Sequence, residues 1–389
     1  MHKKNIAILI PCLSKGGAER AAGLLSTYLN DDNNVYIILL DSSEIVYDHS
    51  GEVIYLNQEN KFKNKFLRKI NYFKNQLKKV RKLDELKEKL KIDITISFLE
   101  TPNIINLLTK TKDKKIVSVR STRSLQNEKV ISRIENYLIK KMYNKAHQVI
   151  AISDGVKDDL VKKFGIKSNK IQTIYNFYDF QKINVLKEEE LNDEMKLFFK
   201  DSDVILNVGR LIPAKNQSHI IDSFKKVSEN NDKVKLLILG DGILKQKLKN
   251  LIKDLNLEGK VKILPFDNNP FKYMKNSKLF VLNSEREGFA NVIIESMACE
   301  TPVVSIDCLS GPREIIAGES DYSKELPSVL IAERGILFSK SNKDNMVIAI
   351  EAILNDHNLT DSLINRSKKY IKEYDSKNIY NKWKKVFSE

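Results

Sequence analysis

The stretch Val281–Gly311, VLNSEREGFANVIIESMACETPVVSIDCLSG, contains a strand pattern, a glycine-containing loop and a helix pattern in succession. The apolar run before the loop predicts a buried strand, and Asn291 is a residue type that caps helices, here the apolar run Val292–Met297. The loop carries Glu287 and the helix carries Glu295. Unpaired amides at a helix start favour bound phosphate, and a nearby glutamate accepts hydrogen bonds from sugar hydroxyls. The stretch therefore predicts a site for a phosphorylated sugar.

The bulk composition indicates a globular protein with two domains. At 389 residues the chain is longer than one typical core supports. Its 42% hydrophobic and 30% charged residues are ordinary values, and no apolar run approaches the roughly 20 residues that span a bilayer. The short apolar run behind the N-terminal lysines is typical of a first strand rather than of a signal peptide.

The three cysteines and five histidines are scattered singly along the chain. Their spacing matches neither a metal-ligand pattern nor a disulfide framework. We therefore expect no protein-bound catalytic metal, and a reducing cytoplasm as the location.

The formal charge of +15 raises the question of an anionic partner: nucleic acid, a membrane surface or a phosphorylated substrate. Lysine is also simply common throughout this chain, so a lysine-rich surface without a partner is an equal alternative. The segment from Lys61 to Lys82 contains no acidic residue, and its apolar residues recur at alternating four- and three-residue steps. These are Phe66, Ile70, Phe73, Leu77 and Val80. The pattern predicts a helix with one apolar face, which either rests on an anionic membrane or covers the first sheet.

Strand and helix patterns alternate in both halves of the chain, which predicts two parallel sheets covered by helices. The candidate strands are Ile6–Ile10, Val35–Leu40, Ile94–Phe98, Ile116–Val119, Val149–Ile152, Val204–Val208, Val234–Leu239, Val261–Leu264, Phe280–Leu282 and Val303–Ile306. The alternation is interrupted between Gln172 and Asp203. We therefore expect an N-terminal domain at 1–180, a C-terminal domain at 181–365, and closing helices at 366–389 that pack back across the lobes. Trp383 has the helical spacing of a core residue, and the substrate cleft is expected at the carboxyl ends of the strands.

Two further segments follow predicted strands and enter predicted helices. Gly16 and Gly17 allow a tight turn and the close approach of a ligand, although a plain strand-to-helix turn explains them equally well. Arg210 and Lys215 offer two cations for a diphosphate leaving group, or are solvated surface residues.

The two glutamates of the opening stretch allow three interpretations. Glu287 and Glu295 form a general acid and base pair as in glycoside hydrolysis, or bind a sugar and ribose hydroxyls, or are surface glutamates. Because they lie on a loop and a helix, they need not face one scissile bond.

Together these segments resemble the retaining nucleotide-sugar glycosyltransferases of glycosyltransferase family 4, which have the GT-B fold of two Rossmann-like lobes facing each other across a cleft. The resemblance spans most of the chain. Its motifs are GGAER at Gly16–Arg20, VGRLIPAKN at Val208–Asn216, LGDG at Leu239–Gly242, EGFANVIIE at Glu287–Glu295, and GPREII at Gly311–Ile316.

The resemblance implies a role for each matching residue. Arg210 and Lys215 bind the donor diphosphate, Glu295 binds the ribose, and Glu287 contacts the transferred sugar. The backbone around Phe289, Ala290 and Asn291 assists Glu287, and Gly16 with Gly17 lies near the donor phosphates and the acceptor. Many members carry a histidine after a strand of the first lobe, where this chain offers Arg120 or Arg123 instead.

The resemblance also implies a retaining hexosyl- or N-acetylhexosaminyltransferase that uses a UDP-linked sugar as its substrate and needs no cofactor. A glycan or lipid-linked acceptor in surface polysaccharide or glycolipid assembly is expected, with the protein cytoplasmic and peripheral on the inner face of the membrane. The alternatives are a GT-B epimerase or phosphorylase, or a nucleic-acid-binding protein. No nucleic acid is expected, because the basic segment matches no recognised binding module.

Overall fold

The protein is described by a computed structural model that covers residues 3–14, 16–42, 44–56, 65–126, 130–308, 310–318 and 325–388, with the backbone alone for residues 65–74. The chain divides into two compact units. The N-unit comprises Met1–Phe177 and Ser376–Glu389, and the C-unit comprises Tyr178–Asp375. The sequence pattern places these boundaries after residues 180 and 365.

In chain order the strands are β1 (Asn5–Ile10), β2 (Asn34–Leu39), β3 (Glu52–Tyr55), β4 (Ile94–Phe98), β5 (Lys114–Val119), β6 (Gln148–Ala151), β7 (Ile171–Thr173), β8 (Asp203–Val208), β9 (Val234–Leu239), β10 (Val261–Leu264), β11 (Leu279–Leu282), β12 (Val303–Ile306), β13 (Val329–Ile331) and β14 (Ile336–Phe338). The α-helices are α1 (Gly17–Asn30), α2 (Lys65–Lys89), α3 (Glu100–Leu108), α4 (Val130–Met142), α5 (Asp154–Phe164), α6 (Phe180–Leu186), α7 (Asp193–Phe199), α8 (Gln217–Asn230), α9 (Lys245–Asp254), α10 (Phe271–Asn276), α11 (Asn291–Ala298), α12 (Pro312–Ala317), α13 (Asn345–Asn355), α14 (His357–Tyr370) and α15 (Ser376–Ser388).

Each unit contains one twisted sheet of Rossmann-like order. The N-unit order is β3-β2-β1-β4-β5-β6-β7, with every neighbouring pair parallel. The C-unit order is β10-β9-β8-β11-β12-β14-β13, parallel except for β13. In both sheets the chain starts at the centre and winds outward in two directions, which creates a switch point between β1 and β4 and another between β8 and β11. The predicted α/β class is confirmed.

Every strand that the sequence predicted is present, but β3, β7, β13 and β14 were missed. These strands have only three or four residues, too few to show a hydrophobic period. β3, β7 and β13 also lie at sheet edges, where one side lacks a partner strand and burial is incomplete.

Apolar side chains from strands and helices form the core of each unit. In the N-unit, Ile8 of β1 and Ile96 of β4 pack with Trp383 of α15. In the C-unit, Ile205 of β8 and Val281 of β11 pack with Phe224 of α8. The prediction that Trp383 is a core residue is confirmed, because burying an indole ring against two strands is strongly favourable.

The boundary between the units follows from where neighbouring side chains pack. Phe177 is buried in the N-unit core, whereas the hydroxyl of Tyr178 donates a hydrogen bond to Asn291 of the C-unit. Leu363 of α14 is buried in the C-unit core. Only α15 of the C-terminal segment therefore belongs to the N-unit.

From Lys65 onward the basic segment lies in helix α2, as its spacing predicted, but the side chains that the structure describes do not form one uniform apolar face. Val80 is buried whereas Leu77 is exposed. Lys79 is buried, and its Nζ lies 3.3 Å from Oδ1 of Asp41. The side chains of Phe66, Ile70 and Phe73 lie outside the described residues. Within the described ranges, no helix has both the length and the apolar character needed to cross a membrane.

Candidate active site

The loops that follow β8 and β11 lie side by side at the carboxyl edge of the C-unit sheet. β8 and β11 are parallel neighbours, and the switch point of this sheet falls between them. In open α/β sheets the carboxyl edge at a switch point is where ligands bind. Arg210 and Lys215 follow β8 and Glu287 follows β11, so the structure places these candidate residues on the two loops that flank the switch point.

Lys215 and Glu287 contact each other across this position. Nζ of Lys215 lies 2.5 Å from Oε1 of Glu287, and the two side chains are 21% and 13% exposed. The charges are thus largely shielded from water, which strengthens their interaction with each other and with any ligand that replaces one of them. Arg210 is exposed, and its side chain has no partner among the described residues.

Hydrogen bonds hold the two loops together beneath this ion pair. The amide of Asn283 donates from Nδ2 to the carbonyl of Asn216 at 3.2 Å. The backbone N–H of Glu285 donates to the carbonyl of Ala214 at 3.0 Å. Asn283 is buried, so its hydrogen bond is shielded from competition with water. The position of Lys215 is therefore set by the β11 loop as well as by its own.

The motif at Leu239–Gly242 supports the β8 loop from its other side. A Cβ atom on Gly240 would lie 1.9 Å from the carbonyl oxygen of Gly209, so only glycine permits this approach. The backbone N–H of Leu211 donates to the carbonyl of Asp241 at 2.9 Å. The motif is thus a backbone support for the segment that carries Arg210.

The start of α11 differs from the prediction. Asn291 is the first helical residue rather than the N-cap, and the cap position is held by Ala290 in a left-handed conformation with φ of 66°. The side-chain oxygen of Asn291 instead accepts a hydrogen bond from the hydroxyl of Tyr178 at 2.8 Å. The interpretation of Asn291 as N-cap was therefore wrong, because a residue distant in sequence engages its side chain. No side-chain hydrogen bond caps the helix start, and the backbone N–H of Ile293 donates to the carbonyl of Ala290 at 3.0 Å.

A second loop braces the segment between Glu287 and α11. A Cβ atom on Gly311 would lie 2.7 Å from the backbone of Phe289, and Gly311 has a φ of +77°. The hydroxyl of Ser310 donates to the backbone carbonyl of Glu287. The ring of Phe289 packs at 5.5 Å from that of Tyr374. The loop backbone near Glu287 is therefore held by three separate contacts.

Cys308, just after β12, and Glu295, within α11, are both buried. Burial raises the pKa of the Cys308 thiol, and the nearby Glu287 carboxylate raises it further. The thiol therefore stays protonated and donates to the carbonyl of Ser284 rather than acting as a nucleophile. Glu295 lies within α11 and Glu287 in the loop before it, as predicted.

In the N-unit, the candidate glycines lie at the carboxyl end of β1, beside the switch point of that sheet. Gly17 begins α1 and Gly16 precedes it, which matches the predicted strand-to-helix turn. The backbone N–H of Gly16 donates to the hydroxyl of Tyr47 at 3.2 Å.

The two arginines considered in place of a histidine have different environments. Arg123 is buried and lies 3.4 Å from Oε2 of Glu100 and 3.1 Å from Oε2 of Glu135. Burial raises the pKa of Glu100, and the charge of Arg123 opposes that rise. Arg120 is only partly buried, with its guanidinium 5.7 Å from the centroid of the Phe98 ring. Arg123 is thus a structural clamp, whereas Arg120 is the more accessible of the two and donates a hydrogen bond to Oδ1 of Asn176.

Several supporting residues escaped the sequence analysis. Asn283, Tyr178 and Ser310 act through contacts with residues far away in the chain. For these residues, the sequence offered one local indication of a supporting role, which is that the polar Asn283 directly follows an apolar strand. Gly311 was noted as part of a motif, but its contact with Phe289 depends on how two loops meet.

The sequence matches known protein families along most of its length. Residues 15–182 match the model of Glycosyltransferase Family 4, and residues 188–370 match that of Glycosyl transferases group 1. Over 379 residues the chain is 32% identical to N-acetylgalactosamine-N,N'-diacetylbacillosaminyl-diphospho-undecaprenol 4-alpha-N-acetylgalactosaminyltransferase of Campylobacter jejuni, with 96% of each chain covered. It is 26% identical over 387 residues to a second Campylobacter jejuni enzyme, with 99% of this chain and 98% of that one covered. That enzyme is GalNAc-alpha-(1->4)-GalNAc-alpha-(1->3)-diNAcBac-PP-undecaprenol alpha-1,4-N-acetyl-D-galactosaminyltransferase.

Among solved structures, HepE of Anabaena in complex with UDP is similar, with a TM-score of 0.77, 18% identity and 99% of each chain covered. This similarity in fold confirms the predicted GT-B class. The chain belongs to glycosyltransferase family 4 and is a glycosyltransferase. Membership favours the transferase interpretation over an epimerase, a phosphorylase or a nucleic-acid-binding protein.

Substitution Gly311→Ala is expected to destabilise the C-unit and to lower sugar-transfer activity. The left-handed backbone costs about 1–2 kcal/mol for alanine, and the contact with Phe289 adds about 1–3 kcal/mol of overpacking. Gly165→Ala is the matched control, because Gly165 has a φ of +68° but no atom lies within 4 Å of the position that an alanine methyl group would take there. Thermal unfolding and transfer rate are measured for both variants. Equal destabilisation would show that the contact with Phe289 is not close enough to matter.

Proposed function

We propose that this glycosyltransferase binds a UDP-sugar at the switch point of the C-unit sheet and transfers its hexosyl or N-acetylhexosaminyl group, with retention, to a glycan or lipid-linked acceptor. The observation that carries the proposal is the contact between Lys215 and Glu287 across that switch point. The complex of HepE with UDP and the names of the Campylobacter jejuni enzymes support the choice of donor and acceptor.

The diphosphate of the donor is assigned to the two cations and the start of α11. Arg210 supplies a forked donor and Lys215 a compact charge, and both stabilise the negative charge that grows on the departing phosphate. The backbone amides around Phe289, Ala290 and Asn291 add the positive end of a helix dipole. In this arrangement the diphosphate replaces Glu287 as a partner of Lys215, which frees the carboxylate for the sugar.

The two glutamates are assigned to hydroxyl groups of the donor. Glu287 accepts hydrogen bonds from the transferred sugar, and Glu295 accepts them from the ribose. Glu295 is buried on a helix and Glu287 lies on a braced loop. Both carboxylates therefore lose little conformational freedom when the donor binds. Such preorganisation lowers the entropy loss of binding.

The proposed transfer breaks the bond between the sugar's anomeric carbon and the phosphate oxygen, and the bonding electrons leave with UDP. The acceptor hydroxyl forms a new bond to the same face of that carbon and gives its proton to the departing phosphate oxygen. No protein nucleophile takes part, so the protein contributes placement and charge stabilisation. An inverted anomeric configuration in the product would contradict this step.

The acceptor is assigned to the N-unit. Gly16 and Gly17 are proposed to let the acceptor and the donor phosphates approach the backbone closely, and Arg120 to contact the acceptor. We further propose that the acceptor is built on the cytoplasmic face of the membrane during polysaccharide or glycolipid assembly, with the basic helix α2 near anionic lipid.

The proposed function predicts that one UDP-sugar is consumed when the purified protein is incubated with UDP-, GDP- and ADP-sugars and a lipid-linked acceptor. Release of the nucleotide is measured, and the product is analysed by NMR for its anomeric configuration. Transfer with free UDP as the second product supports a transferase, whereas release of sugar 1-phosphate or a changed sugar epimer supports one of the alternatives. Transfer from a GDP- or ADP-sugar alone would disprove the assignment of UDP.

A further inference from the structure

His219, in the first turn of α8, contacts the side-chain amide of Asn283, which directly follows β11. Nδ2 of Asn283 lies 3.1 Å from Nδ1 of His219 and donates to the carbonyl of Asn216 at 3.2 Å. Asn283 is buried, and its Oδ1 has no hydrogen-bond partner in the part of the chain that the structure describes. The two contacts of Nδ2 therefore fix the orientation of this amide.

These contacts determine which nitrogen of His219 carries the proton. An amide nitrogen donates two hydrogen bonds and accepts none. One N–H of Asn283 is used by the carbonyl of Asn216, so the other faces Nδ1 of His219, which is then the acceptor. In the neutral imidazole the proton therefore lies on Nε2. The imidazole favours this orientation of the amide, because a reversed amide would place Oδ1 against the lone pairs of Nδ1 and of the Asn216 carbonyl.

The carbonyl that Asn283 engages belongs to the residue directly after Lys215. Asn216 joins the short helical turn Pro213–Lys215 to α8 and has a left-handed conformation with a φ of 48°. An L-residue keeps this conformation only where its surroundings favour it, although asparagine adopts it more readily than most. The side chain of Asn216 makes no capping hydrogen bond to α8. A contact from the β11 loop therefore holds the backbone that sets the direction of Lys215.

We propose that His219 is a positioning residue for sugar transfer. Nδ1 of His219 orients the amide of Asn283, this amide holds the backbone of Asn216, and that backbone keeps Lys215 beside Glu287. The inference rests on the proposed function, in which Lys215 binds the donor diphosphate. Because Lys215 stabilises charge that grows during the reaction, its displacement lowers kcat more than it weakens binding of the donor.

Substitutions that imitate one nitrogen or the other test the proposal in the full chain. In His219→Asn the amide oxygen lies as many bonds from Cβ as Nδ1 does, so it replaces the acceptor that faces Asn283. In His219→Gln the amide reaches the position of Nε2 instead, and Nε2 has no hydrogen-bond partner among the described residues. His219→Gln and His219→Leu should lower kcat about tenfold to a hundredfold with a smaller change in KM for the UDP-sugar, and His219→Asn should stay within about threefold of the wild type.

His357 supplies the matched control, because it is exposed and begins helix α14 of the same unit. His357→Gln and His357→Leu should transfer sugar like the wild type.

Hydrogen exchange reports the position of the turn without donor or acceptor. The backbone amides of Lys215 and Asn216 donate to the carbonyls of Ile212 and Pro213, each at 3.0 Å. Local opening of the turn exposes these amides to solvent. Their exchange should be faster in His219→Gln than in the wild type, and His219→Asn should restore the wild-type rate.

A double variant shows whether His219 acts through Lys215. Adding His219→Gln to Lys215→Ala should lower kcat by less than about twofold further, because the group that His219 positions is already absent. A loss of equal size in both backgrounds would mean that His219 has a general structural role instead.

Two other results would also overturn the inference: wild-type kcat in His219→Gln and His219→Leu, or equal losses in His219→Asn and His219→Gln. Thermal unfolding at the wild-type temperature shows that the variants are folded. Wild-type activity of Lys215→Ala would instead overturn the proposed function, and hydrogen exchange would still show whether His219 orients the turn.

Discussion

Substitution Lys215→Ala is expected to lower kcat for sugar transfer about 10²- to 10³-fold. The ammonium of Lys215 is partly shielded from water beside Glu287, and it is assigned to the phosphate on which charge grows as the sugar departs. Loss of a preorganised charge in a shielded site is costly because water cannot replace it without reorganising. Steady-state kinetics with the UDP-sugar that the wild type consumes provide the measurement.

Glu287→Ala should reduce kcat/KM to a similar degree, and the double variant should lose far less than the product of the two losses. The two side chains contact each other, so removing one changes the environment of the other. Lys225→Ala is the control, because Lys225 and Glu229 form an exposed ion pair on α8 within the same unit. Losses below about tenfold in Lys215→Ala and Glu287→Ala, or independent effects in the double variant, would argue against the proposed site.

Lys87→Met is expected to destabilise the N-unit by about 3–5 kcal/mol, as is usual when one partner of a buried ion pair is removed. Nζ of Lys87 lies 2.9 Å from Oδ2 of Asp113, and both side chains are 0% exposed. The ammonium also donates to Oδ1 of Asn106 at 2.7 Å and to Oγ1 of Thr109 at 3.1 Å. Urea unfolding followed by fluorescence measures the loss, because the single tryptophan, Trp383, lies in the core of this unit.

Lys260→Met is the control for this prediction. Lys260 and Asp232 form an ion pair at a similar distance, 2.9 Å, but the carboxylate is almost fully exposed. An exposed pair contributes about 0–1 kcal/mol. Equal losses for the two variants would show that burial of the Lys87 pair contributes nothing to its strength.

The difference in stability between wild type and Lys87→Met should also depend on pH. Burial lowers the pKa of Lys87 to about 8, although the charge of Asp113 opposes the shift. An unfolded lysine has a pKa of about 10.4, so between these values the unfolded chain holds a proton that the folded chain has released. Stability rises with pH wherever the unfolded state binds more protons. The wild type should therefore gain stability relative to Lys87→Met from about pH 8 to pH 10.4, and parallel stability curves would contradict this.

Local patterns in the chain were sufficient to predict much of the site. The apolar run before Glu287 predicted β11, and the helical pattern after it predicted that Glu295 lies on α11. The strand-to-helix transition at Gly16 and the position of Lys215 beyond β8 were predicted in the same way. Each of these features depends on residues within one strand-loop-helix segment, where hydrophobic period and turn residues are informative.

Other features could not be read from local patterns. Asn291 has the chemistry of an N-cap, yet it accepts a hydrogen bond from Tyr178 instead. The period that includes Leu77 and Val80 predicted one shared environment, yet of these two residues Val80 is buried and Leu77 is exposed. In both cases a partner from a distant segment determines the outcome, and a local pattern contains no information about that partner.

The sequence by itself determined the α/β class, the central strands, and which loops carry the cations and the glutamates, because these follow from side-chain period and residue chemistry. Only the tertiary structure decided that Lys215 and Glu287 touch, that Asn283 joins their loops, and that Gly311 must lack a side chain beside Phe289. It also decided that Nδ1 of His219 lies beside the amide nitrogen of Asn283. These features arise from distances between segments that are far apart in the chain, and packing sets such distances only when the whole unit has folded.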